Sequence, residues 1–192
     1  MYNLDTMQQQ LETMVPESRQ SWPQFSKILH PVGFAAGEYL SQPGKVADAI
    51  FYITSGIVRA CLMYNDKDIS LDFAFPGNFT SSYASFIRQA PAEVGLQAIG
   101  DVTGYAFYHD DIHGLYDTCH ICERMGRAVA EQQYLRKYQR ELSFLQYSAQ
   151  ERYLQLLAEH PEVVQYISIK QIASFLGIEP ESLSRIRKNI RS

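Results

Sequence analysis

Apolar positions change their period twice along this chain of 192 residues. Over residues 1–28, Leu4, Met7, Leu11, Met14 and Val15 fall at helical spacing, and Trp22 and Phe25 extend the apolar surface. This predicts an amphipathic N-terminal helical segment. From about Leu29 the period shortens. The runs 49–54, 57–64, 69–75 and 102–108 are rich in β-branched and aromatic residues, and Gly or Pro separates them at Pro31, Gly37, Gly44, Gly56, Gly77, Gly95 and Gly100. Many short strands punctuated in this way predict an antiparallel roll, of the barrel or jelly-roll kind.

Between about Asp110 and Gln150 the punctuation almost vanishes, which predicts one long helix over 111–148. Ile121, Ala128, Leu135 and Leu142 recur every seven residues, with Gln132 and Gln139 at the alternate positions and Met125 on the same side. A narrow stripe of this kind predicts the seam of a homodimer; packing on the chain's own roll is the alternative. Residues 148–157 continue as a second helix, closed by His160-Pro161.

The C-terminal segment from Ser168 to Lys188 reads as a helix-turn-helix. Ser168 suits an N-cap, and Ile172, Ala173 and Leu176 share one face. Gly177 sits where the turn needs a left-handed residue, Pro180 and Glu181 suit the first turn of a second helix, and Leu183 and Ile186 face inward. Lys170, Glu181, Ser182, Ser184, Arg185, Arg187 and Lys188 remain for a partner, and that pattern points to double-stranded DNA. The fold class is therefore α+β in three parts. Residues 1–110 form a roll domain with an N-terminal helix, 111–148 a long dimerisation helix, and 149–192 the helix-turn-helix.

Hydrophobic residues make up 46% of the chain, enough for a packed core. The net charge of −4 conceals an asymmetry: residues 166–192 carry five Lys or Arg against two Glu, whereas the remainder carries 12 against 19. An acidic body with a basic end fits a sensor joined to a nucleic-acid reader. The first residues lack a basic flank with an apolar run, and no stretch reaches the length of a membrane span, so a cytoplasmic location without membrane contact is expected. Three cysteines, an odd number, argue against a disulfide framework.

An N-terminal helix, a roll, a long helix and a helix-turn-helix, in that order, resemble the Crp/Fnr family of bacterial transcription regulators. The roll carries the resemblance through Phe34-x-x-Gly37-Glu38, Gly44, Ile50-Phe-Tyr-Ile-Thr-Ser-Gly56 and Val58-Arg59, and the C-terminus through Ile172-Ala-Ser-Phe-Leu-Gly-Ile-x-Pro-Glu-Ser-Leu-Ser-Arg-Ile-Arg187. It implies a cyclic-nucleotide-binding-like β-roll, a homodimer and a DNA-binding head, with RNA polymerase as a further partner. It also implies base or phosphate contacts at Glu181, Ser182, Arg185 and Lys188.

Two departures matter. The family's phosphate cassette places an acid for the ribose and an arginine for the cyclic phosphate, where this chain has Ser82 and Ala92 or Glu93. A buried phosphate without a cation loses a charge-assisted bidentate bond. Control by cyclic AMP is therefore not expected; Arg88 is the nearest substitute cation. An effector pocket would involve Asn78, Phe79, Thr80, Ser81, Ser82, Tyr83, Arg88, Ala92 and Glu93, and would suit a neutral or weakly polar small molecule. The second departure follows Lys188, where the family's β-hairpin wing is expected to be missing or truncated.

Other chemistry is weaker. Cys119-His-Ile-Cys122 lacks a second ligand pair for a metal and reads as two ordinary thiols at a helix start, with a lowered thiol pKa and redox sensitivity as the alternative. Asp110-Asp111 reads as a helix cap. A cupin-like metal enzyme would need several histidines in the central strands, where none occurs. No catalytic motif, metal or cofactor is expected. A ligand-free dimeric scaffold is the remaining alternative to a regulator.

Overall fold

The computed structural model describes residues 2–191, with side chains through Ile190. Helix α1 (Leu4–Met14) begins at an Asn3 cap, and α2 (Ser18–Phe25) and a 3₁₀ turn (Ser26–Ile28) follow. The helical N-terminus is thus two helices, separated around Pro16. Met7 and Leu11 are fully buried, together with Phe25.

Strands β1 (His30–Phe34), β2 (Tyr39–Ser41), β3 (Ala49–Tyr64), β4 (Lys67–Ala74), β5 (Phe79–Thr80) and β6 (Gly95–Tyr108) form one antiparallel sheet. Its order is β1-β6-β3-β4, with β2 added to β6 and β5 to β3. The long strands β3 and β6 curl, and their register slips around Ser55. Gly56 makes that bend possible: its φ is +81°, and a Cβ there would strike the Asp101 carbonyl. Phe51, Ile53, Val58, Leu96, Ala98 and Val102 fill the interior of the roll.

A short helix α3 (Tyr83–Arg88) lies between β5 and β6. The long helix expected over 111–148 is divided into α4 (His109–Tyr116) and α5 (His120–Gln146). The break has a local cause. Cys119 is extended, caps α5 with its sulfur, and is disulfide-bonded to Cys122, which corrects the reading of two ordinary thiols. Cys61 remains a free, buried thiol. Asp110 and Asp111 do not cap α4. They stand in its first turn, beside His109 at 3.0 Å and His30 at 2.9 Å.

Helices α6 (Ala149–Glu159), α7 (Val163–Tyr166), α8 (Ile169–Leu176) and α9 (Pro180–Arg191) complete the chain, and among the described residues no strand follows α9. Ser148 and Glu151 form a reciprocal capping box on α6, as Ser168 and Gln171 do on α8. Among the described residues no helix is long and apolar enough to cross a membrane.

Candidate nucleic-acid interface and effector cavity

The helix-turn-helix is built from local rules. Ser168 accepts the Gln171 N–H at 3.2 Å and fixes the start of α8. Gly177 ends it with φ +71°, a left-handed conformation that Gly adopts at little cost, and a Cβ would press on the Phe144 ring of α5. The Ile178 N–H then returns to the Ala173 carbonyl at 3.0 Å, and α9 starts at Pro180. Leu183 is fully buried against Ile172, Ala173 and Leu176, with Ile186 packed at the edge.

This packing fixes what α9 presents. Glu181, Ser184, Arg185 and Lys188 are exposed, Ser182 and Arg187 are partly exposed, and Lys170 is exposed on α8. Ser184 donates to the Pro180 carbonyl at 3.0 Å, and Arg185 donates to the Ser182 hydroxyl at 3.1 Å. Among the described residues no acidic side chain forms an ion pair with Lys170, Arg185, Arg187 or Lys188. The cationic face is therefore not neutralised from within.

The helix-turn-helix is docked on the roll. Ile57, Phe73 and Phe75 of the roll share one hydrophobic cluster with Tyr153, Leu156, Val163, Ile167, Ile172 and Leu176. Phe75 stacks on His160 at 3.5 Å between ring centres, and the Ser70 N–H donates to Ser174 Oγ at 3.0 Å. Two arginines serve the C-terminal end of α8. Arg140 donates to the Phe175 carbonyl at 2.9 Å, and Arg152 to the Leu176 carbonyl at 2.8 Å; both guanidinium groups lie over the Phe144 ring. Burial lowers the Arg140 pKa. Nearer the middle of α5, Arg136 donates to Asp72 at 2.8 Å, to the Phe73 carbonyl at 2.6 Å and to Asn78 at 3.2 Å, and so ties the helix to the roll.

Arg59, part of the Val58-Arg59 motif of the roll, is a buried charge whose partners are not local in sequence. It is 4% exposed in the wall of the roll. It donates to both Asp68 oxygens at 2.9 Å, to Ser70 Oγ at 3.3 Å and to Gln97 Oε1 at 2.8 Å. Its sequence signal is a lone charge within the run 57–64.

A cavity of about 660 Å³ lies between the N-terminal helices, the roll and α5. Phe79, Thr80, Ser81 and Tyr83 line it, with apolar walls from Phe25, Phe86, Phe107, Ile112 and Met125, and with Arg127 and Lys137 on α5. The Tyr116 phenol, pushed up to about 12 by burial, is a neutral donor at physiological pH. The other pocket candidates lie elsewhere. Asn78 holds Arg136 and the Phe75 N–H. Ser82 donates to the Val94 carbonyl at 2.7 Å, and Ala92 is buried in backbone bonds with Gly44 and Lys45. Arg88 and Glu93 point to solvent. Among the described residues no group of three His, Cys, Asp or Glu side chains could hold a metal ion.

The predicted seam divides. Met125 is buried in the chain's own core, and Ile121 and Ala128 pack against it. Further along α5, Gln132, Leu135 and Gln139 are exposed, Leu142 is half-buried, and Leu135 and Leu145 are 55% and 80% exposed. Tyr134 and Tyr138 join this open apolar face.

Residues 31–119 match the cyclic nucleotide-binding domain family. No curated protein matches the sequence. Solved structures share the fold across most of the chain. The c-di-GMP-responsive global regulator CLP of Xanthomonas campestris is 18% identical with a TM-score of 0.69, over 90% of this chain and 91% of its own. FixK2 of Bradyrhizobium japonicum is 16% identical with a TM-score of 0.68, over 85% of each chain. A CRP-family transcriptional regulator of Thermus thermophilus is 20% identical with a TM-score of 0.65, over 83% of this chain and 84% of its own.

Proposed function

We propose, for a chain with a cyclic nucleotide-binding-type domain at 31–119 and the overall fold of Crp/Fnr regulators, the function of a homodimeric, DNA-binding transcription regulator. The observation that carries this reading is α9. It projects Arg185 and Lys188 from a helix whose other face is locked on α8, and among the described residues no acidic side chain forms an ion pair with them. A two-fold dimer offers two such helices to half-sites about 34 Å apart. RNA polymerase and a cytoplasmic setting are the partner and location this function implies. In this reading α9 and Lys170 supply the contacts to DNA.

Cyclic AMP is not the effector in this reading. Ser82 and Ala92, where the cassette needs an acid and a base, are engaged in bonds of their own. The cavity beside Phe79 to Tyr83 is walled mainly by apolar residues, which favours a neutral or weakly polar ligand. A ligand there touches α5 and the roll together, so it shifts the reading heads by biasing how that helix sits.

Fluorescence anisotropy on fragments selected from a genomic library tests DNA recognition. Arg185→Ala should weaken the selected site by about 1–3 kcal/mol and relax preference at one base pair. Lys188→Ala should weaken all sequences alike and flatten the salt dependence. Selected-site affinity that is indifferent to Arg185→Ala would remove direct readout. Calorimetry should give no micromolar binding of cyclic AMP or cyclic GMP.

A further inference from the structure

Cys119 and Cys122 are taken up by nothing in the reading above. They are disulfide-bonded, with Cα atoms 5.2 Å apart. Cys119 is also the N-cap of α5, and its sulfur accepts the Cys122 N–H at 3.2 Å. The same two residues therefore close the first turn of the helix in two ways, through a covalent bond and through a capping hydrogen bond. The second survives reduction, so α5 keeps its start in either redox state.

The bond makes little sense as a staple. It closes a loop of three residues' separation, and so short a loop removes little freedom from the unfolded chain. Its location is more informative. It sits at the joint between α4, which carries His109, His113 and Tyr116 of the cavity wall, and α5, which carries Met125 and Val129 of the same cavity. Tyr116 packs so closely on Gly126 that a Cβ there would collide with its hydroxyl. A change at the joint is thus passed directly to the cavity wall.

We propose that Cys119–Cys122 is a reversible thiol–disulfide site, oxidised by a peroxide and reduced by a dithiol, that sets the stiffness of the α4–α5 joint. This does not depend on DNA binding. The Cys119 sulfur stands at the N-terminus of a 27-residue helix and accepts the Cys122 N–H. Cys119 retains 7% exposure and Cys122 none, so Cys119 is the sulfur that a small reagent meets. Cys61 is the built-in control, since burial in the roll pushes its thiol up and keeps it protonated.

The chemistry balances with hydrogen peroxide as oxidant. The Cys119 thiolate attacks one peroxide oxygen, the O–O bond breaks, and the other oxygen leaves as water after taking a proton. The Cys119 sulfenic acid is then attacked by the Cys122 sulfur, the S–O bond breaks, and a second water leaves. Two thiols lose two electrons and two protons, and one peroxide becomes two waters. In the return step a dithiol thiolate attacks the Cys119 sulfur and Cys122 leaves as thiolate. The second thiol of the reductant then attacks the mixed disulfide and frees Cys119.

The test uses the whole folded chain. Protein reduced with dithiothreitol is exposed to hydrogen peroxide, acid-quenched, alkylated and mapped by peptide mass spectrometry, with amide exchange measured on both forms. The expected result is a Cys119–Cys122 link that forms and reverses in the native state, Cys61 unmodified until the chain unfolds, and amide exchange over 117–126 about tenfold slower when oxidised. Cys119→Ser keeps a good N-cap, so it should fold as the parent does while its exchange becomes insensitive to peroxide. Cys122→Ser should hold a sulfenic acid at Cys119 that dimedone traps. A link that opens only after denaturation, or exchange that is equal in both redox states, would overturn the proposal.

Discussion

A buried charge is costly to leave alone, so removing one member of a buried pair costs more than the pair itself contributes. Arg59 shows the asymmetry. Its side chain is 5% exposed, whereas that of Asp68 is 37% exposed. Asp68→Ala strands a guanidinium with only Ser70 and Gln97, and should lower stability in urea by about 3 kcal/mol. Arg59→Met, of similar bulk, leaves a carboxylate that water can reach and should cost clearly less; the reverse order would refute the account. A gentler residue-scale effect follows acid. The backbone N–H of Ser148 and then its hydroxyl hold the Glu151 carboxyl below its ordinary value. A lowered folded pKa contributes stability above the unfolded value, and that contribution is lost as pH falls through the folded value. Carbon-detected NMR should find the Glu151 midpoint raised in Ser148→Ala but still below its ordinary value, because the backbone N–H, the larger cause, is kept; an unchanged midpoint would deny the hydroxyl its part. The Ser148 and Ser168 caps were legible in the sequence because their partners lie three residues on. The Arg59 network was not, since its partners lie 9 and 38 residues away and only the curl of the sheet unites them.

At the scale of elements, α5 does two different jobs along its length. Its first half packs Met125, Ile121 and Ala128 into the core shared with α1 and α2, while its second half leaves Leu135, Tyr138 and Leu145 open. An open apolar stripe of this kind on a soluble helix asks for a partner. The seven-residue period was readable from composition alone. Which positions it would expose was not, because that depends on where the N-terminal helices land. The break at 117–119 was equally hidden, since nothing in Asp117-Thr118 forbids a helix; the sulfur cap and bond of Cys119 make the stop. The proposed homodimer should therefore rest on the second half of α5. Leu135→Glu with Leu145→Glu should give a monomer in sedimentation velocity with unchanged circular dichroism. Ile121→Ala should instead lower the melting temperature and leave the dimer in place, and a dimer that survives the double glutamate variant would move the interface elsewhere.

The whole molecule is organised by how the helix-turn-helix head is seated. Strand β4 and the turn after it meet α8 and α6 through Phe73, Phe75, Phe175 and His160, and Arg140 near the end of α5 and Arg152 on α6 hold the last carbonyls of α8. The roll and the C-terminal helices thus share one buried cluster, and Arg140 ties the end of α5 to it. A displacement of α5 by a ligand in the cavity must either carry the head with it or break these contacts. No local pattern announced this seat, because each aromatic residue involved reads equally well as core of its own domain. Phe175 is the place to test it. Its ring lies 5.2 Å from Phe73 and 4.8 Å from the Arg140 guanidinium, and it is half-buried. Phe175→Ala should cost about 3 kcal/mol at this junction while sparing Leu183 and Ile172, which hold α8 to α9. Calorimetry should then resolve two thermal transitions where the parent shows one, the head melting first. Protease should cut near Tyr147, between α5 and α6, sooner than in the parent. A single transition shifted downwards, with no new cleavage there, would mean that the head and the roll do not depend on this seat for their coupling.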